Sequence, residues 1–210
     1  MKEEVERIID KEKINPRETY EFPFVILLTG NVGSGKSLVS QILSKELNLY
    51  LISGDYIRNI IKRLYPDIDL HDEEVKQINN QLCLKEMKYC IDNKYSMILD
   101  RSVSSQKDLS FIKDKVNLPI IFIKIISNDI ENIKRVKNRQ NTQDIKIEHY
   151  GHQEPKSGVV TEEEYNKIKQ RKIYDLDDSV YDYFINTNTS LDELKIGLNN
   201  IIEDIKKKYK

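Results

Sequence analysis

FVILLTGNVGSGKSLVSQIL, residues 24–43, joins three patterns in one short stretch. Phe24 to Thr29 is an apolar run rich in β-branched and aromatic residues, as in a strand buried on both faces. From Gly30 to Ser37 the chain fits G-x-x-x-x-G-K-[ST] without a mismatch. Beyond it, Leu38, Val39, Ile42, Leu43 and Leu47 fall at helical spacing. Strand, glycine-rich turn and helix form the context in which this motif has physical meaning.

That meaning is phosphate binding. A phosphate chain must be gripped without bulky side chains in the way. Glycines at 30, 33 and 35 allow the backbone N–H groups of Gly30, Asn31, Val32, Gly33, Ser34, Gly35, Lys36 and Ser37 to turn inward on an anion. The helix that follows adds its positive end. The segment resembles the Walker A loop of P-loop nucleoside-triphosphate-binding proteins. The resemblance implies that Lys36 reaches the β- and γ-phosphates of ATP, and that the Ser37 hydroxyl holds Mg²⁺.

Composition bounds the rest. A chain of 210 residues suits one α/β domain, read here as an N-terminal helical extension over 1–22 and a domain over 23–210. Charged residues make up 33% and the net charge is -1, which gives no global attraction to a polyanion. Long nucleic acid is therefore not expected as a partner, although a local groove would admit a 5′ end. The longest apolar run, Pro119 to Ile126, is too short for a membrane span and carries Lys124. Cys83 and Cys90 stand about 10 Å apart if they share a helix, too far for a disulfide, and a reducing cytoplasm is the expected setting. Lysine is the default cation, with 26 Lys against 8 Arg, so an arginine beside a motif stands out.

Val5, Ile8 and Ile9 suggest a short helix ended by Asn15-Pro16, free to pack on the domain or to mediate self-association. Leu49 to Ser53 reads as a second buried strand, followed by Asp55 and Arg58, three apart on one side of a helical turn. Asp55 is either a ligand-facing carboxylate or a helix cap paired to Arg58. Residues 59–72 read as a helix end and loop, and helical spacing resumes from Val75 to Ile91. Ser96 to Asp100 is the third strand, apolar and ending in a carboxylate, with Arg101 after it as an acceptor contact or a surface ion pair. A helix from Asp108 to Val116 precedes the fourth strand, Pro119 to Ile126. Asn128 and Glu131 then have capping-box spacing and open a helix with Ile130 and Ile133 inward. On it Arg135 and Arg139, four apart, share a face. Residues 140–158 are polar and broken, a mobile lid or an insertion, with no metal-ligand spacing around His149 and His152. A helix from Thr161 to about Tyr174, a fifth strand over Tyr183 to Asn186, and a closing helix capped by Ser190 and Glu193 complete the chain. Leu191, Leu194, Leu198, Ile201 and Ile205 should face inward on that last helix.

Strands alternating with helices predict a doubly wound, parallel five-stranded α/β sheet. The D-x-x-R of Asp55 and Arg58 is similar to the acceptor-site motif of small P-loop kinases such as polynucleotide kinase, gluconate kinase and the zeta-toxin group. SGDYIR also looks like the adenylate kinase segment whose arginine grips the acceptor's phosphate. R-x-x-x-R at Arg135 and Arg139 resembles the lid arginines of the same kinases, and SMILD resembles a Walker B strand. The resemblance implies strand order 2-3-1-4-5, a lid over about 135–158, and an ATP- and Mg²⁺-dependent transfer of the γ-phosphoryl group to a small-molecule acceptor. In it Lys36 and Mg²⁺, held by Ser37 and Asp100, serve the β/γ-phosphates, and Asp55 deprotonates an acceptor hydroxyl. Arg58 holds the acceptor, and Arg135 and Arg139 neutralise the equatorial oxygens. The competing reading is a nucleotide switch or ATPase without an acceptor. A GTPase would need N-K-x-D after the fourth strand, and the near match at Asn93 to Ser96 lacks the Asp and precedes the third.

Overall fold

Every residue of β1 (Val25–Thr29) is buried, and because successive side chains point to opposite faces the strand feeds two cores. Val25 and Leu27 join one apolar cluster, while Ile26 and Leu28 join the other. In the computed structural model, residues 1–13, 15–16, 19–103, 105–141, 146–149, 152–155, 163, 165–166 and 176–209 are described, without the side chains of 102, 139–141, 146–149 and 152–155.

β1 is the middle of a five-stranded sheet completed by β2 (Tyr50–Ser53), β3 (Met97–Ser102), β4 (Ile120–Ile126) and β7 (Tyr183–Asn186). The order is β2-β3-β1-β4-β7 and every pairing is parallel, which is the expected 2-3-1-4-5 arrangement. A separate antiparallel pair, β5 (Lys146–His149) and β6 (His152–Pro155), lies within the polar stretch that the sequence leaves without regular structure.

Seven helices are defined among the described residues: α1 (Lys2–Glu12), α2 (Lys36–Glu46), α3 (Gly54–Leu64), α4 (Glu73–Asp92), α5 (Gln106–Val116), α6 (Asp129–Asn141) and α7 (Leu191–Tyr209). α2 and α7 cover one face of the sheet with Val39, Leu43, Leu198 and Ile202. α1, α3, α4 and α5 cover the other with Val5, Ile9, Ile57, Ile60, Leu82 and Leu109. α1 therefore packs on its own chain. Val5 and Ile9 are 0% and 2% exposed, and their burial contributes about 3–6 kcal/mol together. No helix among the described residues is long and apolar enough to cross a membrane.

Residues 59–64 form the end of α3 and 65–72 the loop after it, with Asn59, Ile60 and Ile61 buried because the apolar pair must reach the α1–α4 layer. Other local expectations change. Ile130 is 79% exposed, and Asn132 and Val136 take the inward face of α6 instead. The cause is close packing of the α6 backbone on the glycine loop: a Cβ on Gly33 would lie 2.7 Å from the Asn132 carbonyl oxygen. Leu38 and Leu191, each at a helix start, are exposed. The capping box at Ser190 forms in both directions, Ser190 Oγ accepting from the Glu193 N–H at 3.3 Å and the Glu193 carboxylate from the Ser190 N–H at 3.0 Å. At Asn128 only the cap bond forms, Oδ1 accepting from the Glu131 N–H at 2.8 Å, because the Asn128 N–H donates to Asn188 Oδ1 instead. The helix expected over 161–174 falls largely outside the described residues.

Candidate active site

All five parallel strands run toward one edge of the sheet, and in open α/β sheets ligands bind outside the carboxyl ends of the strands. β1 delivers the glycine loop there. Gly33 and Gly35 have φ of +78° and +91°, in the left-handed region that favours glycine. Gly35 is the N-cap of α2 and offers no side-chain cap. α2 has no acidic residue in its first turn, whereas α1, α3, α4, α5, α6 and α7 all have one. The positive end of α2 is thus left for an external anion. Lys36 Nζ donates to the carbonyl oxygens of Gly30 and Asn31 at 2.7 and 2.8 Å, folded over the loop. Ser34 Oγ and Thr29 Oγ1 are buried beside it with no hydrogen-bond partner among the described residues, an arrangement that costs free energy unless a ligand or water completes it.

Ser37 Oγ lies 3.5 Å from Asp100 Oδ1, bringing the first turn of α2 to the end of β3. Two hard oxygen donors beside a phosphate cradle are the donor set that Mg²⁺ takes. Asp100 and Arg101 sit in an irregularity of β3. Leu27 pairs with Leu99 but Leu28 pairs with Ser102, while Ser53 of β2 still pairs with Asp100. Such bulges re-aim side chains, and here the bulge holds the carboxylate that faces Ser37.

β2 passes into α3 with no intervening residue. The cap of α3 is Ser53, whose Oγ accepts from the Tyr56 N–H at 3.4 Å. The Asp55 carboxylate is not the cap but is ion-paired with Arg58. Arg101, on the next strand, is exposed and forms no ion pair among the described residues. On α4, burial pushes the Cys83 thiol up to about 11, against the opposing fields of Arg101 and Arg58. The Asn79 side chain packs against Gly54, where a Cβ would sit 3.1 Å from its Nδ2, and its buried Oδ1 has no hydrogen-bond partner among the described residues. Asp55, Arg58, Arg101, Asn79 and Cys83 thus belong to one neighbourhood around the start of α3, with β3 between it and the strand that carries the glycine loop.

Arg135 is turned toward the loop from α6. Its Nη1 donates to the Gly33 carbonyl at 3.3 Å and to Thr187 Oγ1 at 3.3 Å, and its Nη2 donates to the Thr187 carbonyl. Thr187 Oγ1 in turn donates to the Ser34 carbonyl at 2.7 Å. Arg139 is on the last turn of the same helix, with its side chain outside the described residues. β6 lies against α3, on the β2 side of the site. Sequence reading missed Thr187, Asn79 and the β3 bulge. Only the position of Thr187, directly after a predicted strand, hinted at a place on the ligand-binding edge.

This edge, with its glycine loop and strand order, defines a P-loop domain of the kinase fold. The family described as an AAA domain matches residues 26–157, and the chain belongs to that family. No curated protein matches it. Among solved structures, a candidate kinase of Chloroflexus aurantiacus is 18% identical with a TM-score of 0.61, covering 89% of this chain and 98% of that one. A gluconokinase of Sinorhizobium meliloti is 15% identical with a TM-score of 0.53, covering 91% and 99%. A structure of the PezAT toxin-antitoxin system of Streptococcus pneumoniae is 14% identical with a TM-score of 0.56, covering 90% and 78%. At these identities the likeness is one of fold.

Proposed function

We propose that the protein is an ATP- and Mg²⁺-dependent phosphotransferase that moves the γ-phosphoryl group to a hydroxyl or phosphate of a small acceptor. The observation that carries this reading is the meeting of two chemistries at one sheet edge. The glycine loop and the Ser37–Asp100 pair lie at the ends of β1 and β3, and the Asp55–Arg58 pair lies one strand further out, after β2. A switch needs the first pair of elements but has no use for the second.

In this reading the loop N–H groups and Lys36 bind the β- and γ-phosphates, and Lys36 exchanges its two carbonyl partners for phosphate oxygens. Ser37 and Asp100 would hold Mg²⁺, which when bound withdraws charge from the phosphates. Asp55 takes the proton of the acceptor hydroxyl as the acceptor oxygen bonds to the γ-phosphorus. The bond from that phosphorus to the bridging oxygen breaks, and ADP leaves with the electron pair. Arg58 and Arg101 orient the acceptor, favouring one that carries a carboxylate or phosphate. Arg135, committed to Gly33 and Thr187, braces the loop, and Arg139 is left to neutralise the transferring group. The protein chain acts chiefly by placement and charge.

The test is an ATP-consumption screen across nucleosides, nucleoside monophosphates, small sugars and sugar acids, and 5′-hydroxyl oligonucleotides. One class should accelerate ADP formation and emerge phosphorylated. Constant ATP turnover whatever is added would put the switch reading in its place.

A further inference from the structure

α1 clasps one side of the site and leaves the other alone. Its apolar side, Val5 and Ile9, is buried with Tyr56, Ile57 and Ile60 of α3 and with Val75 and Leu82 of α4. Its polar contacts outside itself go to the same two helices and the link between them. Lys85 pairs with Glu6 and with Asp10, Lys2 Nζ donates to Gln81 Oε1 at 2.8 Å, and the Tyr65 hydroxyl donates to Glu4. Just beyond the helix, Lys13 lies over the Tyr89 ring at 3.9 Å, and the Tyr89 hydroxyl donates to Asn15 Oδ1 at 2.9 Å.

Glu12 is the contact nearest the chemistry. One carboxylate oxygen accepts from the Tyr56 hydroxyl and the other from Arg63 Nη2 at 3.4 Å. Tyr56 and Arg63 are seven apart, two turns along one side of α3. A single carboxylate bridging two turns fixes both the tilt of the helix and its rotation about its own axis. Tyr56 stands between Asp55 and Arg58, and its N–H is the one capped by Ser53. Because α3 starts directly after β2, any change in its tilt passes undamped to Asp55 and Arg58. We propose that Glu12 is a positioning residue for the acceptor side of the site, setting the first turn of α3 through Tyr56 and Arg63. This rests on the reading of Asp55 and Arg58 as the acceptor-binding pair.

The test uses the full-length chain. Hydrogen exchange of Glu12→Ala against the unaltered protein should show residues 53–65 exchanging at least about fivefold faster, with residues 36–46 unchanged. Steady-state kinetics with D-gluconate, shikimate, adenosine, AMP and a 5′-hydroxyl oligonucleotide as probes should show the acceptor KM raised about tenfold. The KM for ATP should stay within about twofold, while kcat falls about tenfold because Asp55 moves with the same turn. Glu12→Gln, which keeps one acceptor oxygen, should fall between. Tyr56→Phe should reproduce part of the shift, and the Glu12→Ala/Tyr56→Phe pair should add little to Glu12→Ala alone. Unchanged exchange over 53–65 overturns the proposal, as does a parallel loss in both KM values and kcat, which marks Glu12 as a general stability residue. If no probe is turned over by either protein, the phosphotransferase reading fails, and the exchange result still decides whether Glu12 sets α3.

Discussion

Asp55 and Asp100 are both carboxylates at strand ends, yet their surroundings differ. Asp55 is paired with Arg58, and Asp100 faces Ser37 Oγ across 3.5 Å. Asp55→Asn should therefore keep Mg²⁺·ATP affinity within about threefold and lose about 10²–10⁴ in transfer rate. Asp100→Asn should instead raise the Mg²⁺ concentration needed for half-maximal activity. Magnesium titrations of both variants check this, and near-native transfer by Asp55→Asn would remove it from the base role. Glu86, 2% exposed, is a different case. Burial raises its pKa above 4.5, although the Tyr50 hydroxyl donates to it and pulls the other way. Lys13 and Lys85 also lower it, and Asp10 raises it. A folded-state pKa above the unfolded one means that the native state holds the proton more tightly. Stability is then lost as pH rises from 4.5 through the raised value. Glu86→Gln should flatten that part of the profile, as read by denaturant unfolding at a series of pH values.

Between elements, α6 is the piece whose function the structure redefines most. Its sequence suggests an apolar stripe through Ile130, but its backbone must approach Gly33, and so Asn132 and Val136 turn inward. That rotation points Arg135 at the loop and at Thr187. Arg135→Ala should accordingly weaken ATP binding about tenfold, since charged hydrogen bonds that hold the loop are lost, and isothermal titration with ATP would show it. The segment after α6 makes a separate prediction. Its β6 lies against α3, and residues 140–158 should exchange amide hydrogens faster than β1 and β4 in the ligand-free protein. Protection there should increase with nucleotide and acceptor together. No response to either ligand would make it a surface insertion.

At the scale of the molecule, two cores on the two faces of one sheet divide the labour. One face carries α2 and the loop it anchors, and the other carries α1, α3, α4 and α5 with the Asp55–Arg58 pair. Cys83 and Cys90 lie in the second core, both free and buried, and burial raises both thiols. Ellman's reagent should find neither thiol in the native protein and both in denaturant, because their access requires that layer to open. Rapid native labelling would show α4 to be loosely held. The five strands of the parallel sheet, their alternation with helices, the glycine loop and the helix caps at Asn128 and Ser190 were legible in the sequence. Each of these is specified by residues close together in the chain, through burial pattern, backbone freedom or a local hydrogen bond. The tertiary structure alone decided that α1 packs on α3 and α4, that Ile130 faces outward, that Thr187 ties β7 to the loop, and that β3 bulges at Asp100. Those features depend on groups far apart in sequence meeting at fixed distances, and no periodicity within a single segment encodes such a meeting.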